Sequence, residues 1–282
     1  MTHDMLESAV VFSSENSQLM GILHQPQTPI NTAVLIVVGG PQYRVGSHRQ
    51  FVQLSRALAK ENIASLRFDY TGMGDSEGSK KPFDEINEDI KAACDLLCEQ
   101  VGIESVVIWG LCDAASAAMI YAPQDDRITG LFLLNPWLRS DAAMGKAMLK
   151  YYYLQRLFSK EFWSKLLRGK VNVASSIGDA KGFVADSVSS QNNHQQDYQT
   201  RMQKGLENFK GKVCLVLSGI DLTAKEFEQQ TINNKAWKKL NNKQSTIHRI
   251  SKADHTFSSA EFKREVEKYT VEFVNKNKLS CV

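Results

Sequence analysis

A single cysteine lies where an apolar segment turns sharply into an alanine-rich one. Residues 106–109 are apolar and mostly β-branched, Gly110 follows them, and Cys112 comes two residues later. The apolar run predicts a buried strand, and the alanines after Cys112 predict a helix. The sequence therefore places Cys112 at the bend of a strand–turn–helix unit.

This unit has the layout of a nucleophile elbow, in which a Gly-x-Ser-x-Gly turn exposes the reactive side chain above a sheet. Here Gly110 is kept, Cys112 takes the nucleophile position, and Ala114 replaces the last glycine. A cysteine packed under a helix is the alternative, because free cysteines are among the most buried residues. Other parts of the sequence are needed to choose between a nucleophile and a packed cysteine at this position.

Strands and helices alternate along much of the chain. Two short segments around a turn, 8–12 and 18–24, predict an N-terminal hairpin. Apolar runs predict six further strands, at 33–38, 63–68, 106–111, 130–134, 213–217 and 246–250. This alternation predicts βαβ units in a mostly parallel eight-stranded sheet with helices on both faces.

Three local predictions concern helices near the edges of this core. Ser47 with Gln50, and Ser258 with Glu261, have the spacing of capping boxes at the starts of helices. A further helical segment is expected from about Phe227 to Leu240.

Residues 137–210 interrupt the alternation. We expect an inserted helical lid there, with the hydrolase core formed by 1–136 and 211–282. Between Arg139 and Lys170 the segment carries eight basic and two acidic residues, interleaved with aromatics. This pattern suits peripheral contact with an anionic membrane or a lipid-linked anionic glycan, and it equally suits a solvated lid face with its aromatics turned to the core.

Composition excludes several classes of protein. The 282 residues carry 34 basic and 31 acidic side chains, and a net charge of +3 gives no reason to expect a nucleic-acid partner. The N-terminus lacks the pattern of a signal peptide, and no apolar run is long enough for a membrane span. Five cysteines suit free thiols in a reducing compartment. We expect a cytoplasmic protein with no metal or other cofactor.

A cysteine nucleophile needs a base and an acid that orients the base. His255 follows the last predicted strand and is the candidate base, although a surface histidine would fit the same position. Asp221 follows the preceding strand and is the favoured acid, although a solvated turn aspartate is the alternative. Asp254 competes for that role, but a neighbouring side chain rarely points back at its own histidine.

An oxyanion hole would complete the site. One donor is expected to be the amide of Asp113, directly after the nucleophile. The second is expected from the Gly39-Gly40-Pro41 turn, and Gly40 is favoured because proline has no N–H. The two glycines would also be explained by turn geometry alone.

Four segments together resemble the exosortase A system-associated hydrolase 1 family, a branch of the α/β-hydrolases. They are VVGGPQYRVGSHRQF (37–51), LRFDYTGMGDSEG (66–78), WGLCDAASA (109–117) and LNPW (134–137). The resemblance implies the fold, a hydrolase-type site and a bacterial setting linked to exopolysaccharide export. Cys112 in place of serine, and Ala114 in place of glycine, are similar to cysteine-type relatives such as dienelactone hydrolase.

The predicted function is hydrolysis of an acyl ester or thioester through a Cys-His-Asp triad and an acyl-thioenzyme. The acyl group would be an activated one, because thiolates favour activated acyl groups. Its carrier would be a small molecule or a lipid-linked glycan. Two alternatives remain from the sequence: an acyltransferase that uses the same triad, and a non-catalytic binding or redox-sensing protein in which Cys112 is a relic.

Overall fold

The computed structural model describes residues 5–138, 192–232 and 234–278. The chain divides into two units, one comprising Met1–Leu138 and Arg201–Val282, the other Arg139–Thr200. The predicted lid, with the basic segment between Arg139 and Lys170, therefore lies largely outside the described residues. Within the described ranges, no helix is long and apolar enough to cross a membrane.

One eight-stranded sheet forms the core of the first unit. Its strands are β1 (Met5–Ser14), β2 (Ser17–Pro26), β3 (Thr32–Val37), β4 (Ser65–Phe68), β5 (Ser105–Leu111), β6 (Ile128–Leu134), β7 (Lys212–Ser218) and β8 (Ser245–Ile250). They lie side by side in the order β1-β2-β4-β3-β5-β6-β7-β8. β2 pairs antiparallel with β1 and β4, and every other pair is parallel. The predicted mostly parallel eight-stranded α/β-hydrolase sheet is confirmed.

Six α-helices connect or flank these strands in the described ranges. They are α1 (Gln50–Lys60), α2 (Asn87–Val101), α3 (Asp113–Tyr121), α4 (Asn192–Asn208), α5 (Leu222–Thr231) and α6 (Ala260–Lys278). Helix α1 contacts α6, and α2 contacts α3, which gives one helix pair for each face of the sheet.

The helical segment expected from Phe227 to Leu240 is wrong as a single helix. Helix α5 ends at Thr231, and a separate 3₁₀ helix runs over Lys235–Asn241. The Asn234 side chain accepts a hydrogen bond from the Ala236 amide at 3.0 Å. Such a cap starts a new helical turn, because it satisfies an N–H that has no partner within the helix.

Both predicted capping boxes are also wrong. Helix α1 has no side-chain cap, because a 3₁₀ turn ending at Arg49, with φ 60°, separates it from Ser47. At α6 the hydroxyl of Ser259 accepts from the Phe262 amide at 3.2 Å, so the cap lies one residue later than Ser258.

Aromatic packing fixes β5 at the centre of the sheet. All seven residues of β5 are buried. The ring centroid of Trp109 lies 5.5 Å from that of Phe51 on α1 and 6.4 Å from that of Phe132 on β6. Its indole N–H donates to the Thr270 hydroxyl on α6 at 3.3 Å, so this large side chain also satisfies its polar atom.

The parallel strands bring five chain segments to one edge of the sheet, because parallel strands end on the same side. Each segment follows the carboxyl end of a strand. They are the Gly39–Gly40 turn after β3, Cys112 after β5, Asn135 after β6, Asp221 after β7 and His255 after β8. Ligands of open α/β sheets bind at this edge.

Replacing Phe132 with alanine tests the central packing. The ring of Phe132 is fully buried. Its centroid lies 6.4 Å from the centroid of Trp109 and 5.9 Å from that of Phe273. Phe132→Ala should lower the free energy of unfolding by about 3–5 kcal/mol, as large-to-small changes in cores do. Urea denaturation followed by circular dichroism measures the change. Leu6→Ala is the control, because the Leu6 side chain is 60% exposed, and it should change the free energy of unfolding by less than about 0.5 kcal/mol. Equal losses in the two variants would show that Phe132 does not stabilise the core.

Candidate active site

Cys112 lies in a strained turn between β5 and α3. Its backbone has φ 62° and ψ −124°, a conformation that non-glycine residues rarely adopt and that costs about 1–3 kcal/mol. Its amide donates to the Leu134 carbonyl at 2.9 Å, and its carbonyl accepts from the amides of Ala115 and Trp137, each at 3.1 Å. These hydrogen bonds on both sides of the residue hold the strained conformation in place.

Gly110 allows the strand and helix to approach closely enough for this turn. A β-carbon at Gly110 would lie 2.7 Å from the carbonyl group of Ala114 and from the Ala115 amide nitrogen. Contacts this short with backbone atoms cannot be relieved by moving a side chain. The glycine kept from the elbow pattern is therefore required by the turn.

His255 and Asp221 meet beside this turn. The Nδ1 atom of His255 lies 2.8 Å from Oδ2 of Asp221. Asp221 also caps helix α5, because its carboxylate accepts from the amides of Thr223 at 3.2 Å and Ala224 at 3.0 Å. These bonds fix the carboxylate, and the imidazole also interacts with Cys112, which helps to raise the pKa of His255. The structure thus brings together the three side chains predicted as nucleophile, base and acid.

The His255 imidazole holds its proton strongly. The Asp221 hydrogen bond and then the interaction with Cys112 raise the pKa of His255 from 6.5 to about 10, against the opposing effect of burial. At neutral pH the ring is therefore a cation between two acidic groups. Because the folded value lies above the ordinary one, the stability from this arrangement is complete below pH 6.5 and is lost as pH rises towards 10.

Asp254 does not take the place of Asp221. Its carboxylate accepts hydrogen bonds from the amide and hydroxyl of Ser258, and these bonds lower the pKa of Asp254 in opposition to burial. Elsewhere, His248 stacks on Tyr269 with ring centroids 4.0 Å apart. Burial and then the charge of Arg67 lower the pKa of His24 to about 4, so this ring is neutral and structural.

The predicted oxyanion turn makes a contact that the sequence did not suggest. The amide of Gly40 donates to Oδ1 of Asp113 at 2.7 Å, and the Ala114 amide donates to the same oxygen at 2.9 Å. Burial raises the pKa of Asp113, and the Gly40, Ala114 and Asp113 amides oppose that rise. The Gly40 amide, predicted as an oxyanion donor, therefore faces a carboxylate in this state.

A buried aspartate anchors the same turn from the other side. Asp69 follows β4 and is fully buried. It accepts from the Arg44 amide at 2.6 Å and pairs with the Arg44 guanidinium, whose other nitrogen reaches Asp75 at 2.5 Å. The chain after Gly40 is thus tied to the loop after β4.

Sequence reasoning missed Asn135 and Ser218, which join the ends of β6 and β7 to the histidine loop. Asn135 is fully buried, and its amide nitrogen donates to the His255 carbonyl at 2.9 Å. The one available signal was a polar residue directly after an apolar strand, which the sequence analysis treated only as the strand's end.

Three other cysteines fall within the described ranges, and they lie away from this edge. Cys94 and Cys214 are buried, and burial raises the pKa of the Cys214 thiol to about 12. Cys98 is half-buried on α2. Among the described residues, no group of three or more His, Cys, Asp or Glu side chains is placed to hold a metal ion.

Known proteins with the same architecture include several hydrolases. The esterase Pf2001 of Pyrococcus furiosus superposes with a TM-score of 0.64 at 16% identity, covering 96% of this chain and 93% of that one. A dienelactone hydrolase from Anabaena variabilis superposes with a TM-score of 0.61 at 15% identity, covering 96% and 97%. At these identities the likeness establishes the fold.

Two sequence comparisons add to this. The quorum-quenching protein AidA of Acinetobacter baumannii is 27% identical over 135 residues, which are 45% of this chain and 43% of that protein. This chain thus matches less than half of the length of AidA. Residues 30–211, well over half of the chain, match the family model described as serine aminopeptidase, S33. The protein belongs to this hydrolase family of the α/β-hydrolase superfamily, with Cys112 at the position where the elbow pattern has serine.

Proposed function

We propose that the protein hydrolyses an acyl ester or thioester through a covalent acyl-thioenzyme on Cys112. The observation that carries this proposal is the 2.8 Å hydrogen bond between His255 and Asp221. Cys112 interacts with the same imidazole and raises the pKa of His255 further. It lies where the elbow turn, the end of β7 and the loop after β8 meet. A thiol, an imidazole and a carboxylate in this order form the constellation of nucleophilic acyl transfer.

The first half of the reaction uses His255 as an acid. The Cys112 thiolate attacks the substrate carbonyl carbon, the C=O π electrons move to oxygen, and a tetrahedral oxyanion forms. When the oxyanion collapses, the carbon–oxygen or carbon–sulfur bond to the leaving group breaks. The leaving alkoxide or thiolate takes the proton from the His255 imidazolium, which Asp221 holds in orientation.

The second half uses the same imidazole as a base. In the acyl-thioenzyme the sulfur of Cys112 is bonded to the acyl carbon, so one of the two interactions that raise the pKa of His255 is removed. The neutral ring then takes a proton from water as the water oxygen attacks the thioester carbon. Collapse of the second oxyanion breaks the bond to sulfur, releases the carboxylic acid and restores Cys112.

The oxyanion site requires a rearrangement. The Gly40 amide donates to Asp113 at 2.7 Å, so a substrate oxygen gains this donor only when the carboxylate withdraws. A negative charge held at that place also repels a developing oxyanion. Asp113 therefore sets part of the energetic cost of acylation.

The acyl donor is proposed to be an activated ester or thioester, carried by a small molecule or by a lipid-linked polysaccharide precursor in bacterial exopolysaccharide biosynthesis. The thiol nucleophile supports the first part, because thiolates exchange readily with activated acyl groups. The exosortase-associated sequence resemblance supports the second. An alcohol in place of water in the second half would make the protein an acyltransferase.

Intact-mass spectrometry tests the proposal. Wild-type protein mixed with a panel of aryl esters and acyl thioesters should gain the mass of one acyl group, transiently, within the time of turnover. Cys112→Ala should show no adduct, because it lacks the attacking sulfur. Cys98→Ala is the matched control, since Cys98 is also a half-buried free thiol but lies on α2.

Cys98→Ala should acylate like the wild type. An adduct that persists in Cys112→Ala and disappears in Cys98→Ala would show that Cys112 is not the nucleophile. If no member of the panel gives an adduct or turnover, the result would favour a binding protein with the hydrolase fold.

Asp113→Asn tests the role of the carboxylate on Gly40. Asparagine keeps an acceptor oxygen for the Gly40 and Ala114 amides but removes the charge. A hydrogen bond to a charged group is worth about 1 kcal/mol more than one to a neutral group, so its displacement should become easier by that amount. Acylation by an activated ester should therefore become about fivefold faster, measured by stopped-flow release of the aryl alcohol.

The companion variant Asp113→Ala removes the acceptor as well as the charge. If it acylates slower than Asp113→Asn, the carboxylate position also holds the turn. If Asp113→Asn itself is slower than the wild type, the charge does not compete with the oxyanion and this account of the turn fails.

A further inference from the structure

The loop that carries His255 is attached to the sheet through Asn135. This residue follows β6 directly, is fully buried and has φ 42°, a region that asparagine tolerates better than most residues. Its backbone amide donates to the Val216 carbonyl of β7 at 3.1 Å. Backbone and side chain therefore both face the neighbouring strand end.

The Asn135 side chain is completely engaged. Its Oδ1 accepts from the Ser218 amide at 2.8 Å, and its Nδ2 donates to the Ser218 hydroxyl at 2.7 Å and to the His255 carbonyl at 2.9 Å. The Ser218 hydroxyl in turn donates to the Asp254 carbonyl at 2.8 Å. Two buried side chains thus hold two consecutive carbonyls, those of Asp254 and His255.

This attachment decides where the imidazole lies. The His255 side chain is 35% exposed, so packing around the ring alone does not fix it. Its partner Asp221 is fixed independently, by the amides of α5. The distance between ring and carboxylate therefore depends on the backbone of His255, which Asn135 holds.

We propose that Asn135 and Ser218 form a clamp that positions His255 between Asp221 and Cys112. The clamp touches neither the substrate nor the reacting atoms, so both members are positioning residues. The inference rests on the proposed function for its catalytic meaning, but the geometry it claims exists without turnover.

Chemistry requires an amide at position 135. The position must offer one acceptor to the Ser218 amide and two donors to oxygens, and only an uncharged carboxamide of this length supplies both. Asn135→Gly removes the carboxamide without adding a charge, and glycine tolerates the φ of 42° at this position. Without its hydrogen bonds to the side chain, the histidine loop should move from its place.

Nuclear magnetic resonance titration of the ¹⁵N-labelled full chain tests the clamp, with the His255 ring resonances assigned by comparison with His255→Ala. The wild-type ring should titrate well above its ordinary midpoint. In Asn135→Gly and in the milder Ser218→Ala, the midpoint should fall by at least one pH unit, because the ring moves away from Asp221 and Cys112.

Thr270→Val is the matched control. Thr270 is also fully buried and its hydroxyl accepts from the Trp109 indole, so its loss removes a buried hydrogen bond far from the histidine loop. This variant should keep the wild-type midpoint. An equal midpoint in wild type, Ser218→Ala and Asn135→Gly would overturn the clamp, as would an equal fall in Thr270→Val.

The titration separates the clamp from the catalytic proposal, since it needs no substrate. A midpoint that falls only in the two clamp variants supports the clamp even if no ester or thioester acylates Cys112. A midpoint that stays unchanged in those variants rejects the clamp even if Cys112 acylates as proposed.

Discussion

The left-handed backbone of Cys112 is the constraint on which the rest of the site depends. A side chain at φ 62° costs free energy, and the surrounding structure holds it there through the Leu134 and Trp137 hydrogen bonds and the absence of a β-carbon at Gly110. The aromatic packing of β5 keeps the strand beneath it rigid. The turn leaves Cys112 half-buried at the start of α3, packed against the core on one side and interacting with His255.

Parallel strand order supplies the partners for this thiol. Successive strands end at one edge, so residues far apart in sequence meet there without long loops. Asp221 is fixed by the helix it caps, and His255 is held through its own carbonyl by Asn135. The imidazole then lies between two groups that favour its charged form, which is why its pKa rises to about 10. Rigid placement of an acid, a base and a nucleophile is what a covalent mechanism requires.

Much of this arrangement could be predicted from sequence, because the signals were local. Apolar runs of strand length predicted the sheet, and the order of Cys112, Asp221 and His255 after three strands predicted which side chains meet. The contacts between distant backbone and side-chain atoms could not be predicted. Neither the Gly40–Asp113 hydrogen bond nor the hold of Asn135 on the histidine loop leaves a periodic pattern, because each joins single residues 73 and 120 positions apart.

Alkylation of Cys112 with and without His255 tests whether the imidazole activates the thiol. Iodoacetamide labelling, quantified on the peptide that contains Cys112, excludes the signal of the other cysteines. At pH 6 we expect the wild type to be labelled at least about tenfold faster than His255→Ala, because an imidazolium beside the sulfur favours the reactive thiolate. Equal labelling rates in the two proteins would show that His255 does not activate the thiol.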